Sequence, residues 1–338
     1  MLAPLLVVLA AAGTGILAPR SAIPLPASVG HYASDVAWEN ADAVLLTTNS
    51  GMHRYALRTR ASERLISTAP LPDGVPDPTS LSSDGVSVKV TSVISMGGYS
   101  MRLSDRKRLN AQRIRLLPLD VAVRGERACL LALEMRKRTN EAVFCGKINE
   151  FWSKFAPVHR LSSGEALFPH AIDRQAGAIA LGEDGSLTVI TSAEPGVFRY
   201  TPDGTLLEKS GQSFDELVLT AMREIPARFA ADIAGRYRLL LNTQPTIDDL
   251  VLTPRGPAIV VRIAEKERIR WELWWPRADG RTVPPTRLGI DRIGPYGHLR
   301  CDARGTSLAC VGSLPSAKTA AGLSSDHAPH LWIFEPPK

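Results

Sequence analysis

Residues 249–263, DLVLTPRGPAIVVRI, decide the fold that this sequence predicts. They give a polar residue, a short apolar strand, a turn at Pro254-Arg255-Gly256 and a second apolar strand, AIVVRI (258–263). Short apolar runs separated by turns that contain Gly and Pro are typical of β-hairpins. The stretch therefore predicts two antiparallel strands, the first of which begins at Asp249.

The same pattern recurs along the chain, and each copy starts at a polar residue. The six starts are Asp35, Ser80, Asp120, His170, Asp249 and His298. Successive starts lie 40 to 50 residues apart, except that 79 residues separate the fourth from the fifth. Short strands grouped into units of this length are typical of a β-propeller, a ring of four-stranded sheets called blades. We expect one domain of six blades.

Two irregularities in the repeat lead to further predictions. The long interval predicts a short helical insertion between blades 4 and 5, residues 212–246, because SFDE (213–216) has the form of a capping box and the apolar residues up to Ile225 share one helical face. The last unit ends at HLWIFEP (330–336) without an outer strand. We expect residues 22–25 to supply that strand and so to close the ring and cover its free edge.

Three stretches carry a resemblance to a known family. They are GVFRYTPDGTLLEKSG (196–211), PTIDDLVLTPRGPAIVV (245–261) and ELWWPRADGRTVPPTRLG (272–289). With them, the chain resembles the bacterial six-bladed propellers of the NHL/TolB-like group. The resemblance implies an all-β fold of six four-stranded antiparallel blades. It implies no particular reaction, because propellers host enzymes, ligand binders and scaffolds alike.

The N-terminus predicts export. Residues 2–18, LAPLLVVLAAAGTGILA, form an apolar stretch of the length of a signal-peptide core. We expect residues 1–18 to be a signal peptide, cleaved after either Ala12 or Ala18, and residues 22–338 to be the propeller domain. The stretch is short for a membrane-spanning helix, so we expect no membrane span in the mature form. This predicts a secreted or periplasmic protein.

The four cysteines fit the same compartment. Cys129 and Cys145 flank a polar turn at 136–139, and Cys301 and Cys310 flank the turn at 304–306. Opposed residues of an antiparallel hairpin have Cα atoms about 4.5–5.5 Å apart, a distance that a disulfide tolerates. The alternative is that all four are small buried apolar side chains. In an exported protein the hairpin positions favour two disulfides.

The six start residues are also the candidate functional site, because the first strand of each propeller blade faces the central channel. We expect Asp35, Ser80, Asp120, His170, Asp249 and His298 to ring one mouth of that channel and bind a ligand there. The three carboxylates and two imidazoles among them predict a possible divalent metal site, for Ca²⁺ or Mn²⁺. The alternative is that these residue types bond turns and begin strands at a solvated channel mouth.

Composition and motifs narrow the function classes. Lys and Arg number 40 against 34 Asp and Glu, but the cations are scattered and no nucleic-acid-binding motif accompanies them. The sequence has no G-x-S-x-G, H-E-x-x-H, P-loop or G-x-G-x-x-G pattern and identifies no catalytic residue.

We therefore favour an exported binding protein, rather than an enzyme, that holds a protein, peptide or glycan ligand at the channel mouth and the surrounding loops. The alternative is a metal-dependent hydrolase or lyase that uses the Asp/His ring.

Overall fold

A computed structural model describes residues 15–30, 32–133, 140–161, 177–191, 194, 196–210, 246–265, 268–276, 283–293, 298–313 and 329–335. Within these residues, 25 β-strands form six sheets, and no α-helix occurs. No helix in these ranges is long and apolar enough to cross a membrane. Two short strands come first, β1 (Ile16–Leu17) and β2 (Ser21–Pro24).

Six blades follow in chain order. Blade 1 contains β3–β6 (Ala33–Asn40, Ala43–Thr48, Gly51–Ala56, Ser62–Ser67), blade 2 contains β7–β10 (Ser80–Ser83, Ser87–Ser92, Gly97–Arg102, Arg108–Arg113), and blade 3 contains β11–β14 (Leu117–Arg124, Arg127–Leu133, Glu141–Lys147, Ala156–Arg160). Blade 4 contains β15–β18 (Gly177–Leu181, Leu187–Thr191, Val197–Tyr200, Leu206–Ser210), blade 5 contains β19–β22 (Thr246–Thr253, Gly256–Glu265, Arg268–Trp274, Thr286–Ile293), and blade 6 contains β23–β25 (His298–Arg304, Ser307–Ser313, His330–Phe334).

The blades are arranged as a closed ring. Consecutive strands of each blade pair antiparallel, and the first strands β3, β7, β11, β15, β19 and β23 contact one another in a complete circle. The chain is therefore a six-bladed β-propeller, as the repeat predicted. We call the face where the first strands begin the front face, and the face where they end the rear face.

The N-terminal residues close the ring. Strand β2 pairs antiparallel with β25 and becomes the outer strand of blade 6, which confirms the predicted closure. Strand β1 adds something that the repeat did not predict, because it pairs parallel with β22 and becomes a fifth strand on blade 5. It lies within the residues that we expected to be the signal peptide.

The core consists of apolar layers between neighbouring blades. All six residues of Ala43–Thr48 are buried, because both faces of a blade are covered by its neighbours. In the described part of the chain, the layer between blades 5 and 6 contains 15 buried residues. Among the described residues, the layer between blades 4 and 5 contains only seven: Ala178, Ile190, Val197, Ile247, Leu250, Ile259 and Val261.

Both predicted disulfides are present in hairpins. Cys129 lies directly opposite Cys145 on β12 and β13, with a Cα–Cα distance of 4.2 Å. Cys301 lies opposite Cys310 on β23 and β24, with a Cα–Cα distance of 4.1 Å. The alternative of four free buried thiols is therefore wrong.

The region around blade 4 differs from the sequence prediction. With a blade start at His170, the repeat predicts that the next apolar run, AIALG (178–182), is a second strand. Instead it forms most of β15, the first strand. The misassignment arose because HAID (170–173) has the polar–apolar form of the other starts, whereas the strand itself begins at a glycine. His170 lies outside the described residues. The predicted helical insertion 212–246 also lies outside them, apart from Thr246, which begins β19, and the helix stays a prediction.

Candidate functional site

Three of the predicted site residues lie inside the channel because of a shared backbone irregularity. The pairing register shifts immediately before Asp35 in β3, before Asp120 in β11 and before Asp249 in β19. Each shift is a β-bulge, which turns the following side chain relative to the strand. All three carboxylates are buried, with 4–6% of their surface exposed. The bulges therefore place them at mid-strand, deeper than the mouth where we expected them.

Each of these carboxylates binds the backbone of the next blade. The oxygens accept hydrogen bonds from the N–H groups of Leu81 (to Asp35, 2.8 Å), Ile179 (to Asp120, 2.8 Å) and Cys301 (to Asp249, 2.7 Å). Blades 1, 3 and 5 thus carry the carboxylates that accept these bonds, and blades 2, 4 and 6 carry the N–H groups that donate them. We call these three contacts the carboxylate ties. They favour the alternative in which these aspartates hydrogen-bond to the backbone instead of binding a metal. Each of the three contacts joins two blades.

One guanidinium lies among the three carboxylates. Arg300 of β23 is 4% exposed, and its Nη1 lies 3.5 Å from Oδ1 of Asp249. Burial raises the pKa of all three carboxyls, that of Asp249 to about 7, and the charge of Arg300 only partly opposes this effect. Burial alone would lower the pKa of Arg300, but the charges of Asp249, Asp120 and Asp35 outweigh it, so its pKa is raised and it stays charged.

Sequence reasoning missed Arg300 although a signal for it exists. The residue lies between Leu299 and Cys301 in the first strand of blade 6, where both neighbours are buried and apolar. A lone arginine in such a strand needs a buried anion. The mid-strand aspartates in the first strands of blades 1, 3 and 5 supply that anion.

A second set of ties lies nearer the rear face. Ser82 of blade 2 accepts the N–H of Val123 at 2.9 Å. Asp302 of blade 6 accepts the N–H of Trp38 at 2.7 Å, and burial raises its pKa to about 6. These bonds run from even blades to odd blades, the reverse of the carboxylate ties.

The other predicted site residues have different places. Ser80 is the first residue of β7 and donates to the carbonyl of Leu119 at 3.0 Å, so it also joins two blades. His298 is the first residue of β23, and its Nδ1 lies 3.8 Å from buried Asp248. Burial alone would raise the pKa of Asp248. The nearby imidazole of His298, the charge of Arg262 and the hydrogen bond from Trp271 outweigh burial, so the pKa of Asp248 lies below its usual value.

An open cavity lies at the rear end of the channel. This cavity of about 960 Å³ has the carboxylates of Asp35, Asp120 and Asp249 in its wall. It is bounded at the rim by the turns that follow the first strands, and it extends between blades 4 and 5 along Thr188, Arg199 and Pro276. We call this cavity the rear funnel. The sequence placed the site at the start of the first strands, so the structure moves the candidate site to their other end.

The lining of the rear funnel is rich in acidic residues, unlike the chain as a whole. Its described lining contains nine carboxylates: Asp35, Glu39, Asp84, Asp120, Glu183, Asp184, Glu208, Asp249 and Asp302. The same lining contains three guanidiniums, those of Arg124, Arg199 and Arg304. The whole chain has a formal net charge of +6. Clefts lined by one sign of charge concentrate the field and attract ligands of the other sign.

Among the described residues, the predicted metal ligands form no metal-binding group. No group of three or more His, Cys, Asp or Glu side chains there has a metal-binding arrangement. Asp35, Asp120 and Asp249 are engaged with backbone N–H groups and share the single guanidinium of Arg300. His170 belongs to the undescribed part of the chain, so the complete ligand set stays a prediction.

One buried charge lies away from the channel. Lys89 of β8 is 1% exposed, and its Nζ lies 4.0 Å from the centre of the Trp152 ring and 5.4 Å from that of Phe155. Burial lowers its pKa to about 7. The enclosed ammonium has no access to a ligand, so Lys89 belongs to the core between blades 2 and 3.

Comparison with known proteins supports the fold. No family model and no curated protein matches the sequence. Among solved structures, a protein of unknown function from Bacteroides thetaiotaomicron is similar with a TM-score of 0.50 and 10% identity, over 95% of this chain and 75% of that one. The β-propeller domain of Cps50 (Swd1) from Myceliophteria thermophila has a TM-score of 0.49 and 12% identity, over 94% and 99%. The calcium-binding protein regucalcin from Agrobacterium tumefaciens has a TM-score of 0.49 and 9% identity, over 95% and 96%.

Proposed function

We propose that this protein is an exported binding propeller that holds a ligand with an ammonium or guanidinium group in the rear funnel. The observation that carries the proposal is the acidic lining of that funnel, nine carboxyl groups against three guanidiniums in a chain of formal net charge +6. Burial raises the pKa of four of the nine, those of Asp35, Asp120, Asp249 and Asp302. Its volume of about 960 Å³ is within the range of pockets that enclose small ligands. The sequence left the ligand open as a protein, peptide or glycan, and the funnel adds a cationic group as the feature that the protein recognises.

The positions of the carboxylates fit a binding role better than a catalytic one. The deep ones are held by the carboxylate ties, so they form a rigid wall whose charge is partly balanced by Arg300. The carboxylates at the rim are more accessible to solvent. The Glu183 side chain, for example, is 92% exposed although it forms an ion pair with Arg124 at 3.0 Å. A cation that enters the funnel would meet the rim first and the buried wall second.

Export is supported by two observations. Disulfides persist in oxidising compartments, and this chain has two. The apolar residues 2–18 have the length and small-residue content of a signal peptide. The metal-dependent hydrolase or lyase stays an untested alternative, and elemental analysis of the purified protein is its direct test.

Titration calorimetry with spermidine tests the binding proposal. At low ionic strength we expect saturable binding that weakens as salt is added, because salt screens the funnel charges. A neutral molecule of similar length, triethylene glycol, should give no saturation. Absence of saturable spermidine binding would contradict the proposal.

A matched pair of double variants locates the site. Glu183→Gln with Glu208→Gln removes two carboxylates from the funnel lining, and we expect spermidine binding to weaken about tenfold or more. Glu63→Gln with Glu141→Gln removes two carboxylates that pair with Arg106 and Arg160 outside the lining. The two doubles change net charge equally, so equal weakening by both would mean nonspecific attraction and no funnel site.

A further inference from the structure

The chain from residue 15 to residue 25 crosses two blades. Strand β1 continues the sheet of blade 5, where the N–H of Arg287 donates to the carbonyl of Gly15 at 3.0 Å. Strand β2 completes blade 6, where the N–H of Arg20 donates to the carbonyl of Ile333 at 2.7 Å. We call residues 15–25 the N-terminal strap. It joins the outer edges of the last two blades.

The first part of the strap is packed into the core. Leu17 is 8% exposed and belongs to the apolar layer between blades 5 and 6, together with Leu288 and Trp332. The backbone also fits closely, because a Cβ atom on Gly289 would lie 3.1 Å from the carbonyl oxygen of Leu17. Residues 15–17 are thus part of the folded domain.

This packing bears on the position of signal-peptide cleavage. Cleavage after Ala18 would remove β1, uncover the surface that Leu17 buries and leave the N–H of Arg287 without its acceptor. Cleavage after Ala12 would keep the whole strap. Signal peptidases select small residues at the first and third positions before the cut. Ala12 and Ala10 meet that requirement, whereas the third position before a cut at Ala18 is Ile16, which is branched.

We infer that the Ala12–Gly13 peptide bond is the signal-peptide cleavage site and that the mature protein begins at Gly13. A signal peptidase hydrolyses this bond: water supplies the hydroxyl to the carboxyl group of Ala12 and a proton to the new amino group of Gly13. The inference rests on the export that we proposed above. It makes the N-terminal strap a permanent part of the mature propeller.

Intact-mass measurement tests the inference on the full chain. The protein is produced with its own N-terminus in a Gram-negative host, and the periplasmic and cytoplasmic fractions are measured separately. We expect a periplasmic protein of residues 13–338. A periplasmic protein of residues 19–338, or with any other N-terminus, would overturn the cleavage site but leave export intact. Uncleaved protein confined to the cytoplasm would overturn both.

A second measurement tests whether the strap is part of the fold. Chains 13–338 and 19–338 are exported behind the same unrelated signal peptide, and we expect the shorter chain to melt several degrees lower. Leu17→Asp in the longer chain should reproduce this loss, because Leu17 is buried. Ile16→Asp is the matched control, because Ile16 is 66% exposed and should have little effect. Equal melting temperatures for all four chains would show that β1 contributes nothing.

Discussion

At the scale of single residues, the channel aspartates are the main result. The sequence located Asp35, Asp120 and Asp249 correctly as inward-facing residues, because a polar residue begins each copy of the repeat. It did not give their role, because a metal ligand and a backbone acceptor look the same in sequence. The difference depends on the bulge before each aspartate, and a bulge is set by how two strands pair.

The neighbouring residues Asp248 and Asp249 give opposite predictions for pH dependence. The pKa of Asp249 is raised to about 7 in the folded state, so the folded protein binds more protons than the unfolded chain between about pH 4 and pH 7. The stabilisation from Asp249 is therefore lost as pH rises through that window. We expect Asp249→Asn to become more stable relative to the wild type from pH 5 to pH 8, by up to about 1.4 kcal/mol per pH unit below pH 7.

Asp248→Asn is the control for that experiment. The pKa of Asp248 is lowered, so its contribution is complete above about pH 4 and constant from pH 5 to pH 8. This variant should lose stability by the same amount at both pH values, since it weakens bonds to Trp271 and Leu299. Urea unfolding at pH 5 and pH 8 measures both variants. Parallel pH profiles for the two would contradict the assignment.

At the scale of elements, the hairpins were the most predictable part of the fold. The midpoint of each cysteine pair falls on a polar turn, and antiparallel pairing then places the two residues opposite each other without further information. The first strand of blade 4 was less predictable, because β15 begins at Gly177 and has no polar start residue. Strand β1 was unpredictable, because its two residues are apolar in either a signal peptide or a sheet.

The two disulfides should differ in their effect on stability. The pairs are separated by 16 residues (Cys129–Cys145) and by nine (Cys301–Cys310). Loop-closure entropy gives a loss of about 3 kcal/mol for the double alanine variant of the first pair and about 2.5 kcal/mol for the second. Urea unfolding without reductant measures the losses. The differences from the wild type should largely disappear in reductant, and a larger loss from the shorter loop would contradict this account.

At the scale of the whole molecule, the number of blades and the closure were predictable, whereas the location of the cavity was not. The spacing of the start residues gave six units, and the missing outer strand gave the closure. The rear funnel extends from the channel into the space between blades 4 and 5, where the described core layer is smallest and polar side chains such as Thr188 and Arg199 line the cavity. Packing of this kind has no periodic sequence signal.

The described part of the layer between blades 4 and 5 is small, and it predicts where the ring opens first. Local opening follows the regions with the fewest buried apolar contacts. We expect the amides of β15, beside that layer, to exchange with solvent faster than those of β11 in blade 3, which lies beside the larger layer between blades 2 and 3. Hydrogen–deuterium exchange with peptide resolution measures this. Slower exchange of β15 than of β11 would contradict the prediction.

The alternation of the carboxylate ties has a consequence for the size of the ring. Each tie joins an odd-numbered blade to the even-numbered blade after it, so the repeating unit of the channel is a pair of blades and the ring is a threefold arrangement of such pairs. Removal of one blade would bring together two first strands that both carry acceptors or both carry donors. Without blade 2, for example, the carboxylate of Asp35 would face the strand that carries Asp120. An engineered propeller of this type should therefore gain or lose blades two at a time.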